Sequence, residues 1–139
     1  MRLRIALCTI SLIVPLSSGF AGDENVPKVA PPDAKNHISE IATVCGKVVD
    51  SKVFKNGLAG YGTPIQFDLD QAEPNPVFYF IMAGPEVAAV QQAETQRNVD
   101  AYNGKRVCVT GKIASAPSGG TPFILVARRS QVKFDPDKK

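Results

Sequence analysis

The sequence predicts an all-β domain in which five strands close into a small barrel, with one helix between the third and fourth strands. Three observations predict it. Two strand-like stretches, Thr43-Val44-Cys45-Gly46-Lys47-Val48-Val49 and Val107-Cys108-Val109-Thr110-Gly111-Lys112-Ile113, share the pattern V-x-G-K-V/I when Val44 is set against Val109. Each carries a glycine in its middle, where a bend or bulge turns a barrel corner. Between them lie two shorter apolar strands and a helical segment.

The N-terminus predicts export. Arg2 and Arg4 supply a positive start, Ile5 to Leu16 an apolar run, and Gly19-Phe20-Ala21 a small-x-small cleavage site. The run is shorter than the roughly 20 residues that span a bilayer. Residues 1–21 are therefore expected to be a signal peptide cleaved after Ala21, leaving a periplasmic or secreted protein without a membrane anchor. Removing Arg2 and Arg4 takes Lys+Arg from 16 to 14 against 13 acids, so the mature net charge is +1 rather than +3. A near-neutral domain argues against the heavy positive charge that nucleic-acid backbones attract.

Residues 22–36 carry Pro27, Pro31 and Pro32 among small and charged residues, with no apolar period, and are expected to be a flexible segment. The folded domain is expected over 37–134, followed by a polar tail, 135–139. Ile41–Phe54 is the first strand, with Val44, Gly46 and Val48 on one face and Cys45, Lys47 and Val49 on the other. Lys55–Gly62 is a glycine-rich connection. Thr63–Leu69 is the second strand, where Ile65, Phe67 and Leu69 alternate with Gln66 and Asp68. Val77–Met82 is the third, with Phe78, Phe80 and Met82 assigned inward. Gly84-Pro85-Glu86 opens a helix whose apolar stripe is Val87, Val90 and Ala93, running through Gln96. Asn103-Gly104 is a turn, Lys105–Ala114 the fourth strand and Pro122–Ala127 the fifth. Val132–Phe134 extends the fifth or adds a short pairing.

The order strand, strand, strand, helix, strand, strand is that of the OB-fold, a five-stranded Greek-key barrel. Val44-Cys45-Gly46-Lys47-Val48, Thr63-Pro64 with Phe67, Pro74-Asn75-Pro76 with Phe78, and Gly104-Lys105 through Gly111-Lys112-Ile113 together resemble small exported bacterial OB-fold domains. These are grouped with the nucleic-acid-binding, tRNA-anticodon-binding-like OB-folds. The resemblance covers most of residues 37–134. Its motifs are structural, and fold does not fix function.

Cys45 and Cys108 remain after signal cleavage, an even pair in an oxidising compartment. Each lies between inward positions, so both sulfurs face outward. The first and fourth strands of an OB barrel pair antiparallel, which brings the two cysteines within reach of a cross-strand disulfide. The alternatives are two reduced, half-buried thiols or a redox-active pair.

Catalytic chemistry finds little support. His37 is the only histidine, and no nucleophile in a recognisable turn accompanies it. One histidine and two separated cysteines do not make a zinc site, and no cofactor motif is present. Asp68, Asp70 and Glu73 cluster near the end of the second strand, with Arg97, Arg106, Arg128 and Arg129 available for phosphate. No cation-loop spacing joins the acids, so a metal-dependent hydrolase ranks last.

OB-folds bind on the second and third strands and the adjoining loops. That mapping selects Lys52, Lys55, Tyr61, Gln66 and Tyr79 as ligand-binding residues. The expected function is a non-catalytic exported binding module. Its ligand is a single-stranded nucleic acid, another anionic polymer or a protein. The alternative is an envelope structural or stress-related protein acting through protein contacts.

Overall fold

Alternation along the chain becomes a wall with an inside and an outside. The computed structural model of the protein describes residues 25–54, 63–84, 92–116 and 119–135. Its strands are β1 (Lys28–Val29), β2 (Ile41–Val53), β3 (Ile65–Leu69), β4 (Phe78–Met82), β5 (Arg106–Ala114), β6 (Phe123–Val126) and β7 (Val132–Phe134), with helix α1 (Gln92–Tyr102) between β4 and β5. The ring runs β2–β3–β4–β6–β5 and closes through β5–β2. The β4–β6 pairing is parallel and the other four are antiparallel. This is the closed OB-like barrel that the element order predicts.

The core is the inward parity of every strand. Val44, Val48, Ile65, Phe67, Leu69, Phe78, Phe80, Met82, Val107, Val109, Ile113, Ile124 and Val126 are all fully buried. Phe67 and Phe80 stack with centroids 5.0 Å apart. Tyr102, the last residue of α1, sets its ring edge-on against Phe67 at 5.4 Å and so closes one end of the barrel.

Both strand glycines are needed for close approach. A Cβ on Gly46 would stand 2.9 Å from Pro31 Cγ and 3.0 Å from Asp70 Oδ1. A Cβ on Gly111 would stand 2.7 Å from Ile124 Cγ2. The β2–β3 register slips between Val48 and Asp50, which leaves Val49 as the extra, exposed residue of a bulge. Beyond it the parity reverses. Ser51 and Val53 pair with the inward Phe67 and Ile65, while Asp50 and Lys52 pair with the outward Asp68 and Gln66. Asp70 braces the bulge from a positive φ of 62°, its Oδ1 accepting the Lys47 N–H at 2.8 Å.

Two expectations are corrected. The flexible segment expected over 22–36 is folded from residue 27 onward. The Pro27 carbonyl accepts the Thr43 N–H at 2.9 Å, β1 runs parallel to β2, and a 3-10 turn spans Pro31–His37. Its prolines occupy the first positions of the turn, where a missing N–H costs nothing, and Ala34 is fully buried. The helix, expected to run from Gly84 through Gln96, continues to Tyr102. Its buried face is Thr95, Asn98, Val99 and Tyr102, a helical spacing whose polar half hides it from an apolar count. Val87 and Val90, and the side chain of Ala93, lie outside the described residues, as do residues 1–21, expected to be a signal peptide, and residues 136–139. Among the described residues no helix is long and apolar enough to cross a membrane.

The predicted disulfide is present. Cys45 and Cys108 sit directly opposite one another in the β2–β5 ladder, with Cα atoms 4.0 Å apart and the sulfurs bonded. Both are half-buried on the outer wall, a pairing compatible with an oxidising compartment.

Candidate ligand face

On the outer face of β2, β3, β4 and β6 the registers align side chains into two rows. One row is Asp50, Asp68, Tyr79 and Phe123. The other is Lys52, Gln66, Ile81 and Leu125. The four strands span about 14 Å, and the rows lie about 7 Å apart along them.

One end of the first row is aromatic. Tyr79 and Phe123 stack with centroids 5.2 Å apart and planes within 5°. Both rings are half-buried, and Leu125 beside them is 47% exposed. Thr121 Oγ1 donates to the Pro76 carbonyl at 3.0 Å, which ties the chain leading into β6 to the chain leading into β4.

The other end is acidic. Asp68 is buried, and its Oδ1 accepts a hydrogen bond from Gln66 Nε2 at 2.7 Å. The backbone N–H of Glu73 also donates to its carboxylate. Burial pushes the Asp68 carboxyl above its ordinary value against those hydrogen bonds, and the nearby charges of Glu73 and Asp50 push it the same way. Burial also raises the Tyr79 hydroxyl, with Asp68 and Glu73 adding to the effect. Among the described residues no lysine, arginine or histidine forms an ion pair with Asp50, Asp68 or Glu73. Lys52 instead holds its Nζ 5.7 Å from the centroid of the Phe54 ring.

The structure thus brings Lys52, Gln66 and Tyr79 onto one face. Lys52 stands on β2, and the Gln66 amide is turned to Asp68. Lys55 and Tyr61 lie outside the described residues. Asp50, Ile81, Phe123 and Leu125 share the face but escaped the sequence mapping. The alternation Phe123–Leu125 would have flagged two of them, given the parallel pairing of β4 and β6. Asp50 was hidden by the bulge.

The other candidates disperse. The Asp70 side chain is committed to the Lys47 N–H, so it does not join Asp68 and Glu73. His37 Nδ1 meets Glu40 Oε2 at 2.7 Å on the surface. Arg129 turns to α1, donating to Asn98 Oδ1 at 3.3 Å, and Arg106 lies 3.5 Å from Asp135. Among the described residues the one convergence of three candidate metal ligands is Cys45, Cys108 and Asp135, within 4.8 Å, and both of its sulfurs are bonded to each other.

No protein-family model and no curated protein sequence matches the chain. Among solved structures, one described as that of an aspartyl-tRNA synthetase from Leishmania major Friedlin is similar over 86% of the chain, at 7% identity and a TM-score of 0.48. The match spans 23% of that synthetase chain. The OB-like assignment rests on the strand order and closure of the barrel itself.

Proposed function

We propose that this protein is an exported, non-catalytic binding module that holds a ligand across the outer face of β3, β4 and β6. The observation that carries the proposal is the stacked Tyr79–Phe123 pair, set in register with Ile81 and Leu125 at the centre of that face. An aromatic platform flanked by apolar side chains takes the flat or apolar part of a ligand, while the polar groups around it fix orientation. The half-buried disulfide supports a role outside the reducing cytosol.

Single-stranded nucleic acid is the ligand class that the OB-like barrel first suggests, because bases stack on such platforms. Asp50, Asp68 and Glu73 repel the phosphates that would run beside the stacked bases. Oligothymidylate at low salt, where electrostatic attraction is strongest, is the probe for that class.

The test is a titration of the oxidised protein with oligothymidylate, a chito-oligosaccharide and a blocked leucine–arginine peptide, followed by backbone amide shifts. The expected result is saturable shifts at Tyr79, Ile81, Phe123 and Leu125 with at least one of the three probes, weakened by Tyr79→Leu. Shifts confined to other surfaces, or none with any probe, overturn the proposal.

A further inference from the structure

The wall made by β1, β2, β5 and β7 carries a charge pattern that the ligand face does not use. Its registers set Lys28 beside Thr43, Ile41 opposite Lys112, Thr43 opposite Thr110, Cys45 opposite Cys108, Lys47 opposite Arg106 and Lys133 beside Cys108. These ten side chains share the outer side of the wall, since cross-strand partners point the same way and alternate residues share a face. The intervening Val29, Val44, Val107, Val109 and Val132 are buried on the inner side. Five of the ten are cationic and none is acidic: Lys28, Lys47, Lys112 and Lys133 are exposed, and Arg106 is half-buried. Two acids border them. Asp135 lies 3.5 Å from Arg106, and Glu40, next to Ile41, is turned to His37 at 2.7 Å. On a chain whose mature charge nearly cancels, the cations are thus gathered on one wall.

We propose that this wall seats the protein on the surface of an anionic phospholipid membrane, with Lys28, Lys47, Arg106, Lys112 and Lys133 facing the lipid headgroups and no segment spanning the bilayer. The four strands are about 14 Å across, and Lys47 and Ile41 stand about 20 Å apart along β2. Within that area the cations lie at the margins, around a neutral centre of the disulfide and the Thr43–Thr110 pair. A polyanion strand follows a line of cations, and a single-stranded nucleic acid also stacks its bases on aromatic rings, which none of the ten residues supplies. A plane of separate headgroups instead meets each cation on its own, and basic clusters are drawn to it by its negative surface potential. Ile41, 62% exposed opposite Lys112, is the one large apolar side chain on the wall and lies at its edge, where it can enter the headgroup layer. The seating is independent of the proposed ligand and compatible with it. In the ring β2–β3–β4–β6–β5, β4 is the strand farthest from the β2–β5 seam, so a protein held by this wall keeps the ligand face turned away from the lipid.

The experiment is co-sedimentation of the oxidised protein with vesicles of phosphatidylglycerol and phosphatidylcholine in equal parts, against vesicles of phosphatidylcholine alone. The expected result is binding to the anionic vesicles at low salt that is lost in about 1 M salt, where the Debye length is about 3 Å. Affinity falls about tenfold in the triple variant Lys47→Gln/Lys112→Gln/Lys133→Gln, whose changes are on exposed side chains. A lipid spin-labelled at its headgroup broadens the amide signals of Thr43, Cys45, Cys108 and Thr110 and leaves those of Tyr79 and Phe123 sharp. Equal binding to the neutral vesicles, an unaffected triple variant, or broadening centred on Tyr79 and Phe123 each overturns the proposal. So does the absence of binding to anionic vesicles at low salt. If a duplex oligonucleotide or heparin is bound by the wall and the vesicles are not, the wall serves a polymer and the membrane is the wrong occupant.

Discussion

The two outer walls of the barrel are built from the same alternation and end in opposite conditions. On the β2–β5 seam the two central outward pairs are matched within the chain, Thr43 with Thr110 and Cys45 with Cys108, with Ile41 opposite Lys112 and Lys47 opposite Arg106 at its ends, while β1 and β7 flank the wall at Thr43 and Cys108. On the β3–β4–β6 face the outward groups are stacked or opposed, and several remain open to solvent. The centre of the seam is joined by folding, whereas the face is where a ligand is proposed to sit. The difference separates stability from function: disrupting the seam should unfold the protein without changing the chemistry of the face, and altering the face should change binding at small cost to the fold.

The largest expected effect is on the seam. Replacing Cys45 and Cys108 together by alanine removes a link between residues 63 apart. The chain-entropy model gives a loss of about 4 kcal/mol. Urea unfolding of the double variant against the oxidised protein measures it. Where the variant remains folded, the amide shifts of Tyr79 and Phe123 are expected to stay within small changes, and a large shift there would show that the walls are coupled.

A smaller effect comes from Gly111→Ala. The new methyl would meet Ile124 Cγ2 at 2.7 Å and Gln131 Nε2 at 3.2 Å, the latter atom donating to the Thr110 carbonyl. Overpacking of this kind costs about 1–3 kcal/mol. Because Ile124 belongs to β6, this variant probes the place where the seam strand β5 meets the ligand face. A cost below about 0.5 kcal/mol in denaturant unfolding would mean that Ile124 yields freely.

Tyr79→Leu keeps apolar volume on the face and removes the stack on Phe123. Stability is expected to fall by about 1 kcal/mol, the scale of an aromatic pair. Binding of whichever probe shifts the face should suffer more than stability does. If stability drops by several kcal/mol instead, Tyr79 is a structural residue and the contrast between the walls narrows.

Much of this contrast was legible in the sequence. The inward parities of β2, β4 and β5, the closure of the first strand onto the fourth, and the outward cysteine pair all follow from period-two alternation, which is local. What was not legible depends on long-range contacts. The turn at Pro31 looks like linker composition until Gly46 offers it bare backbone to rest on. The α1 face is half polar, with Thr95 and Asn98 buried beside Val99 and Tyr102, so its period is invisible to hydrophobicity. Asp50 changes wall because a bulge at Val49 resets the parity, and no residue type near Val49 announces a bulge. The candidate face was therefore read in part: Lys52, Gln66 and Tyr79 from strand position, but not the acid and aromatic partners that the registers place beside them.

The smallest effect tests the acidic end of the face by pH. Asp68 holds its proton to a higher pH in the folded protein than in the unfolded chain, chiefly because it is buried. Between the ordinary carboxylate value and its raised folded value, the folded state binds more protons than the unfolded state. Stability therefore falls as pH rises through that window, and levels off above it. Asp68→Asn removes this loss while its amide oxygen can still accept from Gln66 Nε2. The variant is expected to match the parent at acidic pH, where Asp68 is protonated in both states, and to be the more stable of the two near neutrality. Denaturation midpoints of both proteins across that range measure the difference. A variant less stable than the parent at neutral pH would show that the hydrogen bonds from Gln66 and Glu73 outweigh burial and the charges of Asp50 and Glu73. The acidic end would then be satisfied by folding.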